Sequence, residues 1–270
     1  MASSPYTDTH RLFVQSMLSK RIIPEEEAKE LYEKVRQVTQ SKEKQLTSFN
    51  RWYEDLIDQL YKDPSEEGFT NFFATINTQL ETLDYALRIT HREYDGSPFL
   101  TLVNVKQDPM TEVATNYSAS ELGYIRELID MIVNADNEDF AISTMAAIQL
   151  GNKIKPLKLT PKETQDVLER LIEDKWIAEE ESNGVYYLNT RAISELQSYL
   201  REQYADLIKE CTFCLDVVTM GEYCAISQCP VRYHKYCADS QFRNTNNPVC
   251  PQCNTPWSRT NTFGKGLPPS

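Results

Sequence analysis

All seven cysteines of this chain fall between positions 211 and 253, in register with the only histidine of its C-terminal half. The run reads Cys211-x2-Cys214-x9-Cys224-x4-Cys229-x4-His234-x2-Cys237-x12-Cys250-x2-Cys253, eight soft donors in four close pairs. A two-residue gap lets a tight turn aim two thiolates at one ion. A closed structural zinc site takes four sulfur or nitrogen donors, so eight donors make two tetrahedral sites. An odd number of thiols would leave one unpaired in any all-disulfide scheme. Two Zn2+ ions are therefore the expected cofactors. Neither should be hydrolytic, because a catalytic zinc keeps an open position and all eight donors are committed here. The segment holds little apolar material, so the metal should supply much of its folding energy.

The rest of the sequence argues for a soluble, non-secreted protein. The opening "MASSPYTDTH" has no basic region followed by an apolar one, and no apolar run approaches the length that crosses a bilayer, so no membrane partner is expected. Residues 1–210 hold 37 acidic and 23 basic side chains, whereas the last 60 hold 3 and 5. An acidic body argues against nucleic-acid binding over the whole surface. Of the 8 glycines none forms a phosphate-cradling loop, which argues against nucleotide chemistry.

The ligand order, four cysteines, one histidine and three cysteines, resembles two families of zinc modules, RING domains and PHD fingers. Both interleave their pairs. By that resemblance Cys211, Cys214, His234 and Cys237 hold one ion, and Cys224, Cys229, Cys250 and Cys253 the other. PHD fingers usually carry an aromatic residue two positions before the seventh ligand, where this chain has Pro248. RING domains often have an apolar residue just before the second ligand and a proline after the seventh, matched by Phe213 and Pro251. The RING reading is favoured. In ubiquitin-ligating RINGs those two positions dock a charged ubiquitin-conjugating enzyme; the plainer roles are covering the metal and stiffening a turn. Many active RINGs place a cation straight after the last ligand. Asn254 stands there, which points to weak or partner-dependent activity.

In front of this module, helical and hairpin signals alternate twice. A helix near Thr9–Ser19 and another from Pro24 come first; Glu25, Glu26 and Glu27 suit the positive end of the second, and Ala28, Leu31, Tyr32 and Val35 form its apolar stripe. A polar, helix-permissive stretch over residues 40–63 leads to a helix around Phe69–Leu80 and a hairpin turning at Asp95-Gly96. The second pass begins at Ser120, a candidate cap for a helix whose Leu122, Ile125, Leu128, Ile129 and Ile132 share a face. A short helix near Ser143–Leu150 follows. Thr160-Pro161-Lys162-Glu163 then starts a helix that buries Val167, Leu168, Leu171 and Ile172. A hairpin turning at Asn183-Gly184 closes the pass. Helices followed by a hairpin are the order of a winged helix.

The expected fold is therefore mainly α with small β wings: tandem winged-helix domains at 1–110 and 111–209, a RING-like zinc domain at 210–257, and a disordered tail at 258–270. From Thr190 a further helix spaces Ile193, Leu196, Leu200, Tyr204, Leu207 and Ile208 on one face and is expected to run on to Cys211, orienting the zinc module. Lys153, Lys155, Lys158 and Lys162 cluster before and at the start of the Thr160 helix and are candidate phosphate contacts, with a solvated lysine loop as the plainer alternative. The acids Glu163, Asp166, Glu169, Glu173 and Asp174 along that helix oppose base readout. His10 and His91 stand alone and read as structural or surface residues.

The whole pattern resembles the non-SMC element 1 family, RING-bearing subunits of the chromosomal complex built on structural maintenance of chromosomes proteins 5 and 6. Its carriers are "THRLFVQSML", "GSPFLTLVNV", "EDKWIAEEESNGVYYLNTRAISELQSYLREQY" and the zinc run ending in "CPQCNTPW". The resemblance implies winged helices that pair with a MAGE-family non-SMC element, a joint surface for the kleisin, and ubiquitin transfer that improves with the MAGE partner present. It further implies a nuclear, chromosome-associated role in DNA repair, with DNA contacted mostly through the partners. The competing expectation is a docking subunit whose zinc module binds a protein or histone tail without catalysis.

Overall fold

Thr7 and His10 start the first helix by a reciprocal cap in which the Thr7 N–H donates to His10 Nδ1 at 3.0 Å. The structure, a computed structural model, describes residues 6–46, 66–105, 116–155 and 158–267, so most of the polar stretch expected over 40–63 lies outside the described residues. The chain divides into two compact units, Met1–Thr90 with Pro98–Lys106, and His91–Ser97 with Gln107–Ser270.

In the first unit the elements are α1 (Asp8–Lys20), β1 (Ile22–Pro24), α2 (Glu25–Leu46), α3 (Glu66–Leu80), β2 (Tyr85–His91) and β3 (Pro98–Asn104). The three strands pair antiparallel in the order β1-β3-β2. Ala28 and Val35 of α2 are buried, with Leu31 and Tyr32 packed beside them. Phe13, Met17, Ile76 and Leu100 complete the core. His10 is a core residue here, stacked on Phe72 at 4.4 Å.

The second unit repeats the plan. Its helix α4 (Ala119–Val133) is capped by Ser118 rather than the expected Ser120: Ser118 N–H donates to Glu121 Oε2 at 2.7 Å and Ser118 Oγ accepts from the Glu121 N–H. The reciprocal pair needs a three-residue offset, which Ser118 and Glu121 have and Ser120 lacks. Strand β4 (Ala141–Ser143), α5 (Thr144–Gly151) and α6 (Pro161–Glu173) follow, the last with the expected Thr160 cap and Pro161 at its first position. Helix α6 buries Val167, Leu168 and Leu171, with Ile172 packed against the same core. Strands β5 (Ile177–Glu180) and β6 (Val185–Leu188) turn through Gly184 at φ +59° and join β4 in the order β4-β6-β5. Tandem winged helices are thus the architecture of the body, each with a three-residue first strand that the sequence reading passed over.

The expected long helix into Cys211 does not form. Two short helices, α7 (Thr190–Glu195) and α8 (Gln197–Gln203), break at Leu196, and Tyr204 ends the second with φ −127° and ψ 36°. The periodicity misled because Leu196, Leu200 and the non-helical Ile208 all enter one core. The zinc module follows as β7 (Lys209–Glu210), β8 (Val217–Val218), β9 (Gly221–Tyr223), β10 (Arg232–Tyr233), α9 (Lys235–Phe242) and β11 (Thr262–Phe263).

Over residues 258–267 the disordered tail expected at 258–270 is also corrected. Thr262 and Phe263 pair with Glu222 and Gly221, making the sheet β10-β9-β11, and Phe263 is buried. Buried apolar area holds this segment, in contact with the second winged helix. The N–H groups of Gly264 and Lys265 donate to the carbonyls of Glu138 and Asp139 at 3.1 and 2.8 Å, and Asn183 Nδ2 donates to the Lys265 carbonyl at 3.1 Å. Arg232 forks onto the Glu138 carboxylate at 2.9 and 2.8 Å. Glu138 and Phe140 hold left-handed backbone at φ 57° and 46°, conformations that cost about 1–3 kcal/mol each and persist only where their surroundings over-determine them. One continuous hydrophobic core runs from Tyr117 to Phe263.

Candidate metal centre

Each Cys-x2-Cys pair is shaped by one repeated turn. The Leu215 N–H donates to the Cys211 carbonyl and the Cys211 N–H to the Asp216 carbonyl, both at 2.8 Å. The second turn repeats this, with the Asn254 N–H on the Cys250 carbonyl at 2.9 Å and the Cys250 N–H on the Thr255 carbonyl at 2.8 Å. Both turns close on a left-handed residue, Leu215 at φ 65° and Asn254 at φ 57°. Asparagine takes that conformation readily; leucine does so at a cost of about 1–2 kcal/mol. The other two pairs arise differently. Cys224 follows β9 and Cys229 precedes β10, while His234 caps α9 and Cys237 sits in its first turn.

These turns gather the eight donors into two clusters, Cys211, Cys214, His234 and Cys237 in one, and Cys224, Cys229, Cys250 and Cys253 in the other, each with its donor atoms within 4.8 Å of one another. Cys214 Sγ lies 3.3 Å and Cys237 Sγ 3.8 Å from His234 Nδ1; Cys224 and Cys253 sulfurs are 3.4 Å apart and those of Cys229 and Cys250 3.6 Å. Thiolates about 2.3 Å from a tetrahedral zinc stand roughly 3.8 Å from one another, whereas a disulfide closes to about 2.0 Å. The spacing fits a tetrahedral ion and not cystines, and all seven cysteines are free.

The donors also compete for protons. Hydrogen bonds from Cys214 and Cys237 hold the Cys211 thiol well below its ordinary range, while the bonds Cys237 makes to Cys211 and Cys214 push it well above. In the second cluster burial pushes Cys224 up to about 12, and hydrogen bonds with Thr255 hold Cys253 down to about 6. The cysteine sulfurs of one cluster, this close together, cannot all ionise without a cation among them. A divalent ion removes that conflict, so the residues present fit it. His234 is set for ligation through Nδ1, because its Nε2 faces the Val217 carbonyl at 3.1 Å.

Around the clusters, Phe213 is 52% exposed, and Pro251 is exposed on the rim of a cleft of about 600 Å3 shared with Thr212, Pro230 and Val231. Lys153, Lys155, Lys158 and Lys162 all lie exposed between the end of α5 and the first turn of α6, while Ile154 and Leu159 among them are buried. On α6 itself Glu163, Asp166, Glu169 and Glu173 are exposed, and Arg170 turns inward to Glu121 and the Tyr117 ring. A buried carboxylate that the sequence did not flag, Glu93, sits beside His234. It lies 126 positions from its hydrogen-bond partner Thr219, and no local pattern marks it.

Residues 10–196 match a family described as the Nse1 non-SMC component of the SMC5-6 complex, and residues 211–253 match a RING-like domain. The non-structural maintenance of chromosomes element 1 homolog of Bos taurus is 30% identical over 251 residues, covering 93% of this chain and 84% of its own length. The Rattus norvegicus homolog is 31% identical over the same coverage. Element 1 of Schizosaccharomyces pombe is 26% identical over 190 residues, covering 70% of this chain and 77% of its own. A chain of a solved Nse1-Nse3-Nse4 complex superposes with a TM-score of 0.74 at 25% identity, covering 94% of this chain and 98% of that one.

Proposed function

Because the chain belongs to the Nse1 family of non-SMC components of the SMC5-6 complex, we propose that it acts there as a RING-type ubiquitin ligase subunit. In this reading two Zn2+ ions brace the C-terminal module, and Phe213 and Pro251 dock a ubiquitin-conjugating enzyme. The observation that carries it is the half-exposed Phe213 ring on the rigid turn between two clustered cysteines, with Pro251 exposed on the matching turn of the other cluster. Aromatic anchors of this kind carry a large share of interface binding energy.

The chemistry is positional. Ligand thiolates are committed to metal and form no covalent intermediate; the module holds a thioester-linked ubiquitin in a reactive orientation beside a lysine. Asn254 offers no cation after the last ligand, which supports activity that depends on a partner. A MAGE-family non-SMC element and a kleisin are the partners read for this chain, supported by the likeness to a subunit of a solved Nse1-Nse3-Nse4 complex. Membership of the family supports a nuclear, chromosome-associated role in DNA repair.

The test is single-turnover discharge of ubiquitin from a panel of charged conjugating enzymes, with the chain alone and with its MAGE-type partner. Phe213→Ala and Pro251→Ala should each slow discharge about tenfold, a loss of roughly 1.4 kcal/mol in the transition state, while metal content stays at the parent level. Discharge at the parent rate in both variants would remove the docking assignment. No stimulation in any setting would leave a docking subunit whose zinc module binds a protein or histone tail.

For DNA, the acidic α6 favours contact through the partners. Replacing Lys153, Lys155 and Lys158 by Ala should leave the affinity of the assembled complex within about twofold. A salt-dependence slope flatter by about 2–3 would instead put phosphate contacts on this loop.

A further inference from the structure

We propose that Glu93 is a positioning residue for the His234-containing cluster, orienting the imidazole from its far side and slowing metal loss from that cluster alone. The inference rests on the metal reading above. Glu93 belongs to the loop of residues 91–97, which is part of the second unit. Its carboxylate is buried: Oε1 accepts from the Thr219 N–H at 2.7 Å, Oε2 from the Thr219 hydroxyl at 2.6 Å, and Oε1 stands 3.4 Å from His234 Nε2. The imidazole thus presents Nδ1 to the sulfurs and Nε2 to a carbonyl and a carboxylate.

Burying a carboxylate costs free energy unless strong donors meet it. Among the described residues, His234 is the one basic side chain within ion-pair distance of Glu93. A ring nitrogen whose partner nitrogen binds a metal is a stronger N–H donor, and an anionic acceptor there fixes the ring and raises its basicity as a ligand. The same loop acts on His234 a second way. Tyr236 lies flat on the imidazole, ring centres 5.2 Å apart at 12°. Gly96, at φ +73°, presses its backbone on Tyr236 so closely that a Cβ would fall 2.7 Å from Cγ of that ring. Loop 91–97 therefore confines the histidine edge-on through Glu93 and face-on through Tyr236. Among the described residues, no hydrogen bond or ring contact joins this loop to the sulfurs of the four-cysteine cluster.

The test uses the full chain loaded with cobalt(II), whose visible bands differ between three-sulfur, one-nitrogen and four-sulfur sites. Glu93→Gln keeps the shape and one acceptor while removing the charge. Release to a chelator should speed up about 10- to 100-fold from the histidine site, with its bands shifted and the four-sulfur site unchanged. Glu93→Asp should recover part of the parent rate. A role confined to folding would loosen both sites together, so equal acceleration of both overturns the proposal, as does unchanged release from both. A parent chain that takes up fewer than two cobalt ions overturns the metal reading and the proposal with it, an outcome distinct from full loading with unaltered release.

Discussion

Cys237→Ser should unfold the C-terminal module and weaken the second winged helix with it. Structural zinc contributes about 10–16 kcal/mol of apparent binding free energy in small modules, comparable to the about 5–15 kcal/mol by which whole domains are stable. The two clusters are interleaved: the first joins Cys214 to His234 across 20 positions, and Cys224 and Cys229 of the second fall inside that loop. Losing one ligand therefore opens a loop that helps to hold the other site. Cys211, Cys224, Cys237 and Cys250 are members of the same core as Leu196, Leu200 and Tyr124, so the damage spreads past the metal. Metal analysis should show fewer than two bound ions, and hydrogen exchange should report lost protection in α4 and α7 as well as in residues 211–253. Treating the parent with a strong chelator should give the same pattern. Full protection of α4 in the metal-stripped protein would refute the shared-core account.

The second large effect is expected from the segment after Trp257. The Glu222 carboxylate is 1% exposed and accepts from Trp257 Nε1 at 2.9 Å and from Arg259 Nε at 2.8 Å. Removing one partner of a buried ion pair costs about 3–5 kcal/mol, and Arg259→Met should fall at the lower end because the Arg259 side chain is 39% exposed. Deleting residues 258–270 should cost more, adding about 1.5–3 kcal/mol for the lost burial of Phe263 together with the hydrogen bonds to Glu138 and Asp139. Urea denaturation read by tryptophan fluorescence measures both. A deletion that shifts stability by less than about 0.5 kcal/mol would mean the segment is the loose tail the sequence suggested.

Where the sequence was legible, the signal was local and repeated. Thr160, Pro161 and Glu163 mark a helix start by the bonds they make to one another, and Gly184 marks a turn by its backbone. The ligand spacing likewise announced four pairs before any fold was known. Legibility failed where the cause was distant. Strands β1 and β4 are three residues long, too short for alternation to register, and exist because β3 and β6 pair with them. Ile208 kept helical spacing outside any helix since the core, not the backbone period, placed it. The tail expected to be disordered carries Phe263, which pairs with Gly221 across the sheet and lies against Phe140. Glu93 had no sequence signal at all, because its role depends on a histidine far along the chain.

The continuous core between the second winged helix and the zinc module decides how the module reaches its surroundings. A module on a flexible tether sweeps a sphere whose radius grows with the square root of the tether length, so that every nearby group is met at some modest local concentration. Here Arg232 grips Glu138 and Lys265 is tied to Asp139, leaving no such freedom. Whatever docks at Phe213 is carried at one address in the frame of the second winged helix. Under the proposed ligase function, a lysine at that address would meet it constantly and one a short distance away not at all, so acceptor choice would be a matter of surveying rather than of local sequence.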